Sequence, residues 1–130
     1  MVLRDVRGAI SSYPELAVTP AGRILVDVKL GLRGHRVRVL AEGEWLRVEG
    51  KIVLVDHVEG APGARDLGEM LRKANSSMEL VGLARDEDNW LVARCDVPPE
   101  ADAEELVEAI LRVARVADRW ELLWTGGDFE

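Results

Sequence analysis

The sequence predicts an α+β protein, a five-stranded antiparallel sheet with packed helices, in the order helix, three strands, helix, two strands, helix. Three observations carry this expectation. A stripe of apolar residues at helical spacing runs from Leu106 to Trp124. Apolar and polar residues alternate with a period of two in five other segments. Clusters of Gly, Asn, Asp and Pro separate these segments, with no linker long enough to divide the chain. A single domain spanning residues 1–130 is therefore expected, large enough to bury a core without disulfide staples.

The first element is a short helix in which Leu3, Val6, Ile10 and Tyr13 share a face, ended by Ser11-Ser12-Tyr13-Pro14. Pro20-Ala21-Gly22 marks a turn. Ile24, Val26, Val28 and Leu30 then alternate with Arg23, Leu25, Asp27 and Lys29, the pattern of a half-buried strand. Gly31-Leu32-Arg33-Gly34 reverses the chain into His35–Leu40, and Glu42-Gly43-Glu44 reverses it again into Trp45–Val55. Gly50 in the middle of that third strand points to a bulge.

A connection over residues 56–64 leads to a second helix over 65–75. Asp66 is its cap, and Leu67, Met70, Leu71 and Ala74 share one side. Two strands follow, Met78–Arg85 and Trp90–Val97, joined by Asp86-Glu87-Asp88-Asn89. Pro98-Pro99 stops the second strand. Asp102, with Glu105 three residues later, opens the last helix, whose acidic first turn and late Arg112, Arg115 and Arg119 suit the helix macrodipole.

The hydrophobic strand Leu91–Val97, the Pro98-Pro99 break, the acidic-start helix from Asp102 to Val116 and its ending Ala117–Leu123, "ADRWELL", resemble the YbjN-like family of the type III secretion chaperone-like superfamily. The element order extends the likeness over nearly the whole chain, while the wording covers about the last third. The resemblance implies a homodimer whose surface engages another protein, as secretion chaperones hold extended segments of their clients. YbjN-like proteins are described mostly as regulators of unsettled biochemistry, and the shared wording carries no catalytic residue.

Composition narrows the function classes. Apolar content of 48% with 32% charged residues describes a soluble globular chain. No apolar run approaches the roughly 20 residues of a membrane span. MVLRDVRGAI lacks the continuous apolar core of a secretion signal, and Cys95 has no second cysteine to pair with, so a cytoplasmic location is expected. The net charge of −7 opposes general binding to nucleic acid. Charge is uneven, however: residues 21–55 hold seven Lys/Arg against four Asp/Glu. Arg36, Arg38, Arg47 and Lys51, with Arg23 and Lys29, fall opposite the apolar positions and gather on one sheet face. That face reads either as the solvated side of a half-buried sheet or as a docking surface for an acidic partner segment.

Trp120 suits the core. Trp90, on the polar side of its strand, and Trp124, at the end of the last helix, are harder to bury in one protomer and are candidates for contact with a partner or a second copy. Met70, Leu71 and Met78 form a second candidate contact surface; in the resembled fold the middle helix commonly lies near the dimer interface.

The competing reading is a small ligand- or metal-binding domain or enzyme that uses Asp56 and His57, with Cys95, Asp96 and His35 as further material. No HExxH, CxxC or paired-His spacing supports it, and neither glycine cluster matches a phosphate-binding loop. Neither a cofactor nor a metal is expected. The leading expectation is a non-enzymatic, homodimeric protein-interaction module, chaperone-like or regulatory, that binds a segment of a partner protein.

Overall fold

In the computed structural model, residues 6–11, 13–14, 16–18, 24–31, 33–56 and 81–125 are described. Within them the chain forms α1 (Val6–Ile10), β1 (Leu16–Val18), β2 (Ile24–Leu30), β3 (Arg33–Glu42), β4 (Trp45–Leu54), β5 (Gly82–Arg85), β6 (Trp90–Val97) and α2 (Ala103–Thr125). The strands make one antiparallel sheet in the order β1-β2-β3-β4-β6-β5.

The sheet thus has six strands where the alternation predicts five. The additional one, β1, is three residues long, too short to display a period of two, and it pairs at the sheet edge as Leu16↔Val28 and Val18↔Val26. The expected β2–β3–β4 meander and β5–β6 hairpin are both present. The expected 65–75 helix, with Met70 and Leu71, and Met78 lie outside the described residues.

Strand alternation sorts the side chains as the sequence pattern requires. Ile24, Val26, Val28, Val37, Val39, Leu46, Val48, Leu91, Ala93 and Val97 are buried on one face. This inner face packs against Leu106, Ile110, Val113 and Ala117 of α2, with Val6 and Ile10 of α1 closing the side. Trp120 and Val116 widen the stripe and pack partly buried on the core.

The start of α2 follows the capping prediction: the Glu105 amide donates to Asp102 Oδ1 at 2.9 Å. Glu108 and Arg112, one turn apart, form a 2.5 Å ion pair. No described helix is long and apolar enough to cross a membrane.

Turn chemistry sets the registers. Glu42↔Trp45 closes a two-residue turn whose Gly43 takes φ +62°, a conformation glycine adopts without a Cβ penalty. At the β5–β6 turn, Asp86 Oδ1 accepts from the amides of Asp88 (2.9 Å) and Trp90 (2.8 Å), while Asn89 takes φ +64°. The turn after β2 is tighter than the expected Gly31–Gly34 stretch, since Leu30↔Arg33 and Lys29↔Gly34 already pair.

Gly50 is not the bulge. It pairs regularly with Val37 and Ala93, and the register shifts between Lys51 and Val53 instead. A Cβ built on Gly50 would lie 3.0 Å from Ala117 Cβ and 3.2 Å from Val113 Cγ1. The absent side chain lets α2 settle close onto β4, with Ala117 as its small counterpart.

Candidate interaction surface

The opposite, outer face of the sheet carries the charged residues, and its cross-strand partners are ion pairs in register. Arg36 lies across from Asp27, Arg38 across from Glu49, Glu49 across from Arg94, and Arg47 across from Asp96. Each pair bonds directly. Arg36 Nε donates to Asp27 at 2.8 Å and Arg47 Nε to Asp96 at 3.1 Å. Arg38 donates twice to Glu49 Oε1, at 2.9 and 2.6 Å, and Arg94 Nε donates to Glu49 Oε2 at 2.5 Å. Antiparallel pairing places opposed side chains close enough for these contacts.

The face is not uniformly wet. Arg36 and Asp27 are 59% and 50% exposed, whereas Glu49 is 2% and Arg38 13% exposed. Val92, on the same outer side, is fully buried. Arg38 also lies 3.6 Å from Asp86 and 3.5 Å from Glu87. Burial works against its charge, but the Glu49 bond and the charges of Glu49, Glu87 and Asp86 more than offset this, so its pKa stands above the ordinary guanidinium value. The pKa values of Arg36 and Arg47 are also raised, chiefly by their bonds to Asp27 and Asp96. Asp86 Oδ2 is buried and accepts no hydrogen bond; Arg38 is the cation facing it.

A cavity of about 510 Å³ opens on this face, and its lining includes Leu25, Arg36, Arg38, Lys51, Ile52 and Trp90. The structure therefore brings three of the four predicted basic residues together with Trp90. Lys51 Nζ sits 4.8 Å from the centroid of the Trp90 ring, a cation–π contact. Trp90 is half-buried, its backbone amide held by Asp86. Arg47 lies apart from this cavity, between Glu42 and Asp96. The helical backbone reaches Thr125, so Trp124 falls in the last turn of α2, but its side chain lies outside what is described. Trp45, at the β3–β4 hairpin, is 48% exposed.

Of the residues of the competing reading, Asp56 and Cys95 stand far apart. His57 lies outside the described residues. Asp56 is exposed and accepts a 3.0 Å bond from Asn89 Nδ2 beyond one end of β6. Cys95 pairs with Val48 near the other end, about 20 Å away at a strand's rise per residue. Cys95 is half-buried beside a cavity of about 200 Å³ lined also by Glu105, Glu108 and Arg112. Burial, aided by the Asp96 charge and opposed by Arg112, pushes its thiol pKa up, away from nucleophilic behaviour.

His35 instead joins a group that sequence reading missed. It lies under α2, with its Nε2 2.8 Å from the Lys51 carbonyl, and it meets Asp118 and Glu121. One donor atom from each of the three lies within 4.8 Å of the others. Arg33 holds Asp118 through two bonds to Oδ1, at 3.2 and 2.8 Å. The available signal was the spacing of Asp118 and Glu121, which puts both on one side of a helix; the strand that meets that side is set only by tertiary packing.

No family model and no curated protein matches the sequence. Solved structures match the fold. The chain is similar to a chain of the crystal structure of the ExsC-ExsE complex, with a TM-score of 0.61 and 15% identity, over 93% of this chain and 91% of that one. It is also similar to a chain of the heterodimeric complex ExoU-SpcU from the type III secretion system of Pseudomonas aeruginosa, with a TM-score of 0.52 and 20% identity, over 95% and 98%. These likenesses show that the chain shares the fold of those two chains.

Proposed function

We propose that this chain is a non-enzymatic, homodimeric protein-interaction module of the cytoplasm, chaperone-like or regulatory, that holds a segment of a partner protein. The observation that carries this reading is the whole-length likeness to chains found in two protein–protein complexes, ExsC-ExsE and ExoU-SpcU. The C-terminal wording adds the YbjN-like family as the branch to which the chain would belong.

The surface supports the reading. The cavity on the outer face combines apolar Leu25, Ile52 and Trp90 with Arg36 and Lys51, the mixture that seats an extended, acidic-apolar segment. Among the described residues β1 stands at one edge of the sheet, the kind of position where a partner strand adds. Met70, Leu71, Met78 and Trp124 are assigned to the second-copy or partner contact in the same scheme.

The test is capture of partners from the source lysate by the purified chain, with a light-scattering mass on the same preparation. A dimer that retains a defined protein, and loses it on Trp90→Ala with Lys51→Glu, is the expected result. A monomer that retains nothing, or retention indifferent to the double variant, refutes the proposal.

A further inference from the structure

We propose that His35, Asp118 and Glu121 form a binding site for a divalent first-row transition metal, with zinc as the reference ion, that ties the C-terminal part of α2 to the start of β3. The site borders the cavity of the partner-binding surface, with donors of its own.

One imidazole and two carboxylates are a donor set that such ions accept. Asp118 and Glu121 are three residues apart on α2, so both project to the same side of the helix as neighbours. His35 meets them from β3, and the three donors already lie within 4.8 Å of one another. Zinc bonds of about 2.1 Å place tetrahedral donors roughly 3.4 Å apart, so loading requires a closure of up to about 1.4 Å through side-chain rotation.

The surroundings of the donors match what a metal-binding histidine and carboxylate need. The Lys51 carbonyl can only accept, so it takes an N–H from Nε2 and orients the ring, and a bound ion would use the other nitrogen, Nδ1. Arg33 holds Oδ1 of Asp118 through two donors, which fixes the carboxylate. His35 and Glu121 also line the cavity of about 510 Å³, giving an ion an entry path and a water its fourth position. The Arg33 charge opposes a dication, which sets the site toward moderate rather than extreme affinity.

The experiment titrates the tag-free, chelator-treated chain with zinc chloride by calorimetry and with cobalt chloride by visible absorption. One equivalent should bind, with cobalt showing the d–d bands of a low-coordinate site, and zinc should raise the melting temperature. His35→Ala and Glu121→Gln should each weaken binding about tenfold or more and abolish the thermal shift. Glu121→Gln changes no side-chain shape, so it remains informative if His35→Ala fails to fold. The proposal is overturned if the unaltered chain shows no saturable one-to-one binding, or if Glu121→Gln binds as tightly as the unaltered chain.

Discussion

Arg38→Ala should be far more damaging than any other arginine truncation on the outer sheet face. Arg38 is 13% exposed and donates two bonds to Glu49, itself 2% exposed. It is also the cation facing Asp86 Oδ2, which accepts no hydrogen bond. Removing Arg38 leaves Glu49 with Arg94 and strips Asp86 of its counter-charge, so two buried carboxylates lose compensation together. Breaking a buried pair from one side costs about 3–5 kcal/mol.

Glu49→Gln is milder, at about 1–3 kcal/mol, because Arg38 keeps Glu87 and Asp86 and Arg94 is 26% exposed and can take up water. Arg36→Ala, from a pair that is 59% and 50% exposed, should leave the midpoint nearly unchanged. Urea denaturation followed by tryptophan fluorescence measures all three, read from midpoints at constant m. The Arg38→Ala deficit should persist at about 0.5 M salt, where exposed pairs are screened. A loss for Arg38→Ala no larger than for Arg36→Ala would refute the argument.

Gly50→Ala should destabilise by about 1–3 kcal/mol through overpacking against Ala117 and Val113. Ala117→Gly, which alone costs about 1 kcal/mol of helix propensity, should recover part of that loss. A double-mutant cycle with a coupling below about 0.5 kcal/mol would show that α2 gives way freely. Cys95 should react with iodoacetamide more slowly in the native chain than in urea at the same pH. Its raised pKa leaves less thiolate, and Asp96→Asn should speed the reaction where Arg112→Gln slows it. Equal native and unfolded rates would contradict that ordering.

Local signals carried most of the fold. The capped, striped helix from 103 to 125 and the period-two segments survive because each states its buried face within a few residues. What escaped was non-local. Three residues of β1 cannot display alternation and become a strand only by pairing with β2. Gly50 reads as a bulge until α2 is placed on it. Alternation puts Glu49 and Val92 on the side of the sheet away from α2, yet both are buried there. The alternation rule assigns a side of the sheet and not the depth of that side. His35 likewise became part of a cluster only when α2 carried Asp118 and Glu121 over it.

The same difference in depth decides how the basic face can serve a partner. A carboxylate on an incoming segment gains little from Arg38, which Glu49 already satisfies in a dry setting, because exchange would leave Glu49 buried beside Arg94 alone. Arg36 differs: its bond to Asp27 is solvent-exposed and worth little, so a partner carboxylate can replace Asp27 at small cost. Lys51 meets no carboxylate within ion-pair distance among the described residues and lies over Trp90, where an apolar partner side chain would also settle. Under the proposed function, electrostatic selection of a partner therefore belongs to Arg36 and Lys51 at the rim of the cavity, and Arg38 maintains the sheet that presents them.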